Sequence, residues 1–325
     1  MIADERLTRL EQWLATQLHG VRFTLTPASE DASFRRYFRA TLDDGRTFVA
    51  MDAPPEKEDC GPFVRIAHLL HGAGVHAPRV HSQDLAAGFL LLSDLGTRTY
   101  LAELNAASAG ALMADATDAL VRWQIATRPG ELPPYDEALL RREMSLFPEW
   151  YVARHRRKIL SAAQAQTLES IFALLVKSAL AQPAVYVHRD YMPRNLMLSD
   201  PNPGVLDFQD AVIGPITYDV VSLMRDAFIS WDEDRVLDWS VRYWEKAKRA
   251  NLPVERDFGE FWRALEWMGL QRHLKVLGIF ARINYRDGKP KYLADTPRFL
   301  AYARGVAQRY RELAALNGLL DEVEA

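Results

Sequence analysis

The stretch V185-Y-V-H-R-D-Y-M-P-R-N-L-M-L-S-D-P-N-P-G-V-L-D-F-Q-D210 decides how the rest of the chain is read. An apolar run, Ala184 to Val187, leads into His188-Arg189-Asp190, and Asn195 stands five residues beyond Asp190. Two more apolar runs, "NLMLS" and "GVLDF", flank the turn signal "DPNPG". A hairpin there would set Asn195 beside Asp207, with Asp190 in front of them. Two oxygen donors plus a separate carboxylate suit phosphoryl transfer. Mg²⁺ takes oxygen ligands and usually only one or two protein carboxylates, and the transfer depends on positioning and charge neutralisation. Either aspartate alone would read as a turn or cap residue; the joint spacing points to chemistry.

Outward from this stretch the chain is ordinary. Its 325 residues are 49% hydrophobic and 26% charged, with a net charge of -3, enough for two lobes each with its own core. That balance gives no basic patch for nucleic acid and no single-sign tail for a membrane surface. A single cysteine, Cys60, excludes an intrachain disulfide framework and implies a reducing, cytoplasmic compartment. The stretch "MIADERLTRLEQWLATQLHG" has acidic residues where a signal peptide would be apolar. Leu7, Leu10, Trp13, Leu14 and Leu18 recur instead at helical spacing. The longest apolar stretch, Ile171 to Val187, is too interrupted to insert in a membrane. Nothing implies a protein partner. His68, His71, His76 and His81 lack zinc-ligand spacing, and the run Arg154 to Lys158 reads as a solvated helix face.

The order of patterns predicts a small β-containing lobe followed by a large helical one. "RRYFRATL" and "RTFVAMDA" read as strands joined at Asp43-Asp44-Gly45. "PFVRIAHLLHGAG" reads as a helix and "GFLLLSDLG" as a buried strand. From Tyr100 onward, outside the opening stretch, five long segments carry 3.6-residue periodicity. The expected division is 1–95 and 96–325, with the junction between Leu92 and Thr97.

The spacing His188-Arg189-Asp190 to Asn195 matches a kinase catalytic loop, and Asp207-Phe208-Gln209-Asp210 stands where a metal-binding aspartate is expected. "AVIGPITYD" follows at once, which leaves no room for the activation segment of a protein-substrate kinase. The pattern resembles the aminoglycoside phosphotransferase and choline kinase-like superfamily, with its H-x-D-x-x-x-x-N loop followed by D-F-x-D. "DASFRRYFR", "MDAPPEKED", "GFLLLSDLG", "HRDYMPRN", "GPITYDVVSLMRDA" and "QRHLKVLGIFARINYRDGKPKYL" resemble, within it, the anomeric amino-sugar kinases of bacterial cell-wall recycling. The likeness runs from about Asp31 to Tyr302.

This resemblance implies a two-lobed, protein kinase-like α+β fold and ATP-dependent transfer, with Mg²⁺, to the C1 hydroxyl of N-acetylmuramate and N-acetylglucosamine. It makes Asp190 the base, Asn195 and Asp207 the Mg²⁺ ligands, and His188 a structural support. Asp219 is either a buried brace for the loop or a helix N-cap. ATP is expected against Leu92, Ser93, Asp94 and Leu95. Two departures stand out: the phosphate loop "ASEDASFRRYF" has no glycine, and Met51 occupies the place of the third-strand lysine. Backbone amides with Ser29 and Ser33 would cradle phosphate, and Arg35, Arg36 or Lys57 would supply the cation, with Arg36 preferred. For the sugar, Gln209, Trp231 and the arginines Arg225, Arg272 and Arg282 are the expected contacts, because a lactyl carboxylate suits a forked guanidinium. An antibiotic kinase and a nucleotide-binding pseudokinase are the rival readings.

Overall fold

The computed structural model describes residues 4–29 and 34–325. The chain begins with α1 (Glu5–Gln17), β1 (Phe23–Ser29), β2 (Arg36–Leu42), β3 (Thr47–Asp52), α2 (Gly61–Gly72), β4 (Val80–Asp84), β5 (Phe89–Ser93) and the short α3 (Tyr100–Glu103). It continues through α4 (Ala109–Ile125), α5 (Glu137–Leu146), a π-helical turn (Phe147–His155), α6 (Ala162–Ala181) and β6 (Ala184–Val187). After β6 come the two-residue strands β7 (Leu196–Met197) and β8 (Gly204–Val205), then β9 (Val212–Pro215), α7 (Tyr218–Met224), α8 (Glu233–Arg249), α9 (Phe258–Asp287), α10 (Thr296–Arg309) and α11 (Ala315–Glu324). No helix among the described residues is long and apolar enough to cross a membrane.

Two compact units result: Met1–Glu103 with Arg194–Asp210, and Leu104–Pro193 with Ala211–Ala325. These units differ from the sequence division at residue 95 in two ways. The first unit extends through α3, and it recruits the later hairpin β7–β8. That hairpin is tied to the first unit by main-chain bonds, Val205 N to the His76 carbonyl at 2.7 Å and Leu198 N to the Arg98 carbonyl at 2.8 Å. Gly204 lets it approach closely, since an added Cβ would lie 2.8 Å from Leu95 Cδ1.

The first unit is built on an antiparallel sheet in the order β1-β2-β3-β5-β4. Helix α1 is capped by Asp4, which accepts from Leu7 N at 3.0 Å. It buries Leu10 and Leu14 with Leu42, Ala50, Phe89 and Leu91 of the sheet. Side chains alternate along a strand, so Val49 and Met51, with their partners Tyr37 and Arg39, belong to the other face. Gly45, at φ +84°, makes the β2–β3 turn that its sequence announces.

The second unit is mainly helical around α9, whose 30 residues pass α5, α6, α7, α8 and α10. Gly278 is where α9 comes closest to the end of α5; an added Cβ would lie 2.3 Å from the Leu146 carbonyl carbon. Unlike an apolar core helix, α9 also buries Gln271, Arg272, His273 and Lys275. A two-stranded sheet, β6 against β9, leads into His188.

Candidate active site

In the first unit a cavity of about 300 Å³ opens on the sheet face away from α1, lined by Tyr37, Arg39, Val49, Leu92, Asp94, Leu95, Asn195, Asp207 and Phe208 among others. The hairpin sets Asn195 against Asp207, as its spacing predicted: Asn195 Nδ2 donates to Asp207 Oδ2 at 3.1 Å. Gln209 Nε2 donates to the other carboxylate oxygen at 2.9 Å, and Leu206 N bonds to the Asn195 carbonyl at 2.9 Å. Asp207 adopts φ +63°, an uncommon conformation for a residue with a side chain. Phe208, beside it, is buried against Phe63 with ring centroids 4.7 Å apart. Asp207 brings a carboxylate, an acceptor with roughly four lone-pair sites, and Asn195 adds an amide oxygen. This donor set fits a hard, oxygen-seeking cation such as Mg²⁺.

Of the residues expected at the nucleotide, Leu92, Ser93, Asp94 and Leu95 all line this cavity. Ser93 Oγ is engaged by Arg79 N at 2.8 Å. Asp94 is held by Arg39, with Nε at 2.5 Å and Nη2 at 3.0 Å. Burial pushes the Asp94 carboxyl up, but the Arg39 bond and the Gly96 amide outweigh it and hold the group below the usual carboxylate range. Ser33 lies outside the described residues. Arg36, the preferred phosphate cation, is engaged elsewhere. Arg36 is paired in register with Asp52, on the α1 side of the sheet, and its guanidinium is held by Asp52 and Asp4. Arg6 reaches the same buried Asp52 at 2.5 Å from α1. The arginines that do border the cavity are Arg39 and Arg194. The sequence reading passed over both, because strand parity and the hairpin's return are tertiary facts.

In the second unit, β6 delivers His188, Arg189 and Asp190 into a loop pinned from below. Asp219 is fully buried and accepts from His188 N at 2.6 Å and Arg189 N at 3.0 Å. It lies inside α7, whose N-cap residue is Thr217, so the alternative of Asp219 as N-cap falls away. Burial pushes its carboxyl up to about 7, against the opposing pull of the two amides. Arg189 sits at φ +74°. His188 is buried; its Nδ1 accepts from Asp190 N at 3.3 Å, and its ring meets Tyr191 edge-on at 5.6 Å. Asp190 itself is half-buried.

The expected sugar contacts do not all converge. Arg272, buried in α9, donates to the Arg225 carbonyl at 3.4 Å, and Arg225 pairs with Glu233 and lies over the Tyr302 ring. Trp231 meets Trp239 edge-on at 5.3 Å. Arg282, ten residues beyond Arg272 on α9, stands about 15 Å further along the axis. Gln209 belongs to the other unit and is engaged with Asp207. A cluster that the sequence reading missed lies behind the loop: Glu143 of α5 takes Arg189 Nη2 at 2.6 Å and Lys275 Nζ at 2.8 Å. No local motif marks Glu143 and Lys275, which are far apart in sequence. The signal available was a lysine and an arginine on the apolar stripe of α9.

Residues 24–258 match the phosphotransferase enzyme family. A protein from Pseudomonas aeruginosa called N-acetylmuramate/N-acetylglucosamine kinase is 58% identical, over 98% of this chain and 97% of its own. One of the same name from Pseudomonas putida is 55% identical, over 99% and 98%. Among solved structures, ADP-bound aminoglycoside phosphotransferase APH(2'')-Ib superposes with a TM-score of 0.60 at 15% identity, covering 92% of this chain and 98% of that one. That likeness fixes the fold as protein kinase-like.

Proposed function

The chain belongs to the phosphotransferase enzyme family, and from that premise we propose that it is an ATP-dependent kinase of N-acetylmuramate and N-acetylglucosamine, phosphorylating the C1 hydroxyl in cell-wall recycling. The observation that carries the reading is the identity of 55–58% to two amino-sugar kinases over nearly the full length of both chains. The choice of C1 rests on the motif resemblance. It agrees with the chemistry, because an anomeric hydroxyl is more acidic than the other ring hydroxyls.

In this reading Asp190 accepts the proton of the acceptor hydroxyl as transfer proceeds. The left-handed turn at Arg189, fixed by Asp219, holds the preceding backbone still, so the carboxylate has little orientation left to lose. Asn195 and Asp207 would hold Mg²⁺, which when bound neutralises charge on the transferring phosphoryl group. ATP occupies the cavity bordered by Leu92 to Leu95, and Asp94 is kept ionised there by Arg39. Arg225 and Arg272 are the arginines offered to a lactyl carboxylate.

Turnover with ATP across N-acetylmuramate, N-acetylglucosamine, glucosamine and a panel of aminoglycosides tests the proposal. Phosphorylation of the two N-acetylated sugars in preference to the rest is expected. Turnover confined to aminoglycosides, or none with any sugar, would overturn it.

A further inference from the structure

We infer that Glu143 is a positioning residue for Asp190, a built-in acidic counter-ion for the loop arginine; the inference rests on the reading of Asp190 as the base. Glu143 is 5% exposed. Its Oε1 accepts from Arg189 Nη2 at 2.6 Å and Lys275 Nζ at 2.8 Å; its Oε2 accepts from the Tyr135 hydroxyl and, at 3.4 Å, from Gln271 Nε2. Four donors engage the roughly four lone-pair sites of one carboxylate, so it has no freedom to turn away from the arginine. Lys275 is anchored in turn, 2.9 Å from the Tyr218 hydroxyl. The charges agree with the geometry. Burial pushes the Glu143 carboxyl up, yet Lys275 and Arg189 outweigh it and bring it down to about 2.

The residue preceding Asp190 is thereby held at both ends. Asp219 takes the Arg189 backbone amide and Glu143 takes its guanidinium. A residue as long as arginine pays for a left-handed backbone, and such a conformation persists only where its surroundings over-determine it. Tyr218 and Asp219 are neighbours, so both clamps meet at the start of α7. Kinases controlled by phosphorylation order their loops by creating arginine–phosphate pairs. Here the anion is part of the fold, and the loop needs no added phosphate.

Removing Glu143 alone would strand two buried cations and threaten the fold. The test is therefore charge-balanced: Glu143→Gln with Lys275→Met removes one anion and one cation together. The double variant should stay folded and melt cooperatively, below the wild-type temperature because Arg189 loses its carboxylate, lose about 10–100-fold in kcat at a temperature well below that melt, and keep KM for ATP and sugar within about threefold, the pattern of a lost transition-state arrangement. Arg189→Met leaves Glu143 and Lys275 matched and should lower kcat by the same factor. Wild-type kcat in either variant overturns the inference, as does a KM rise that accounts for the whole loss of kcat/KM. Asp190→Asn is assayed alongside. If it turns over normally, the assignment of the base has failed. If it is inactive while the double variant is not, only the positioning role has failed.

Discussion

Asp190→Asn keeps the shape of the loop and removes its proton acceptor. Turnover should fall by about 10²–10⁴-fold while Mg-nucleotide still binds, which single-turnover kinetics with a nucleotide titration would resolve; near-normal turnover would reject the base. Asp207→Ala takes away the charged member of the Asn195–Asp207 pair, and calorimetry should show Mg-nucleotide affinity falling together with the rate. Arg36→Ala makes the opposite case. Its guanidinium is spent on Asp4 and Asp52 on the α1 side of the sheet, so the KM for ATP should stay within about twofold while the melting temperature drops, because fully buried Asp52 loses one of its two cations. A large rise in the nucleotide constant would return Arg36 to the phosphates. At this scale the sequence was legible where spacing is local. Asn195 and Asp207 are joined by a short hairpin, and their contact follows from its turn. Arg36 and Arg39 look alike in "RRYFRATL", and only the register of β2 against β3 decides which one faces the cavity.

Among the elements, α9 sets the geometry of the second unit, and Gly278 tests that directly. Alanine there would gain roughly 1 kcal/mol of helix propensity. Its methyl, however, would meet backbone at Leu146, which cannot turn aside, and overpacking of this kind costs about 1–3 kcal/mol or more. Gly278→Ala should therefore lower the melting temperature measured by calorimetry; an unchanged or higher value would mean that α5 and α9 can separate freely. Helices with strong periodicity, such as α1 and α9, were readable because their apolar stripes are long. The strands β1, β4 and β9 were not: β1 carries Pro27, tolerable because β1 is an edge strand, and β4 and β9 run only five and four residues. "NLMLS" and "GVLDF" proved to be two-residue strands: they pair only at Leu196–Val205 and Met197–Gly204, and main-chain bonds to His76 and Arg98 supplement that short ladder. The unit boundary escaped sequence reading for the same reason.

For the whole molecule, two buried carboxyls give stability opposite slopes with pH. Glu143 titrates near 2 in the fold against an ordinary 4.5. Its contribution is complete above pH 4.5 and is lost as pH falls through about 2. Asp219 titrates near 7 against an ordinary 3.8, so its favourable share is complete below pH 3.8 and disappears as pH rises through about 7. Melting temperatures across pH should show the acid limb flattened in Glu143→Gln/Lys275→Met, and the decline between about 4 and 7 flattened in Asp219→Asn on top of a constant loss from its broken amide bond. An unaltered profile in both would contradict these environments. The fold alone does not choose a hydroxyl, since one scaffold serves many acceptors. The proposal therefore stands or falls on the product. Phosphorus–proton correlation NMR of N-acetylmuramate incubated with the enzyme, ATP and Mg²⁺ locates the new phosphate: coupling of phosphorus to the anomeric proton is predicted, and coupling to the C6 protons, or no phosphorylated sugar, would contradict the account.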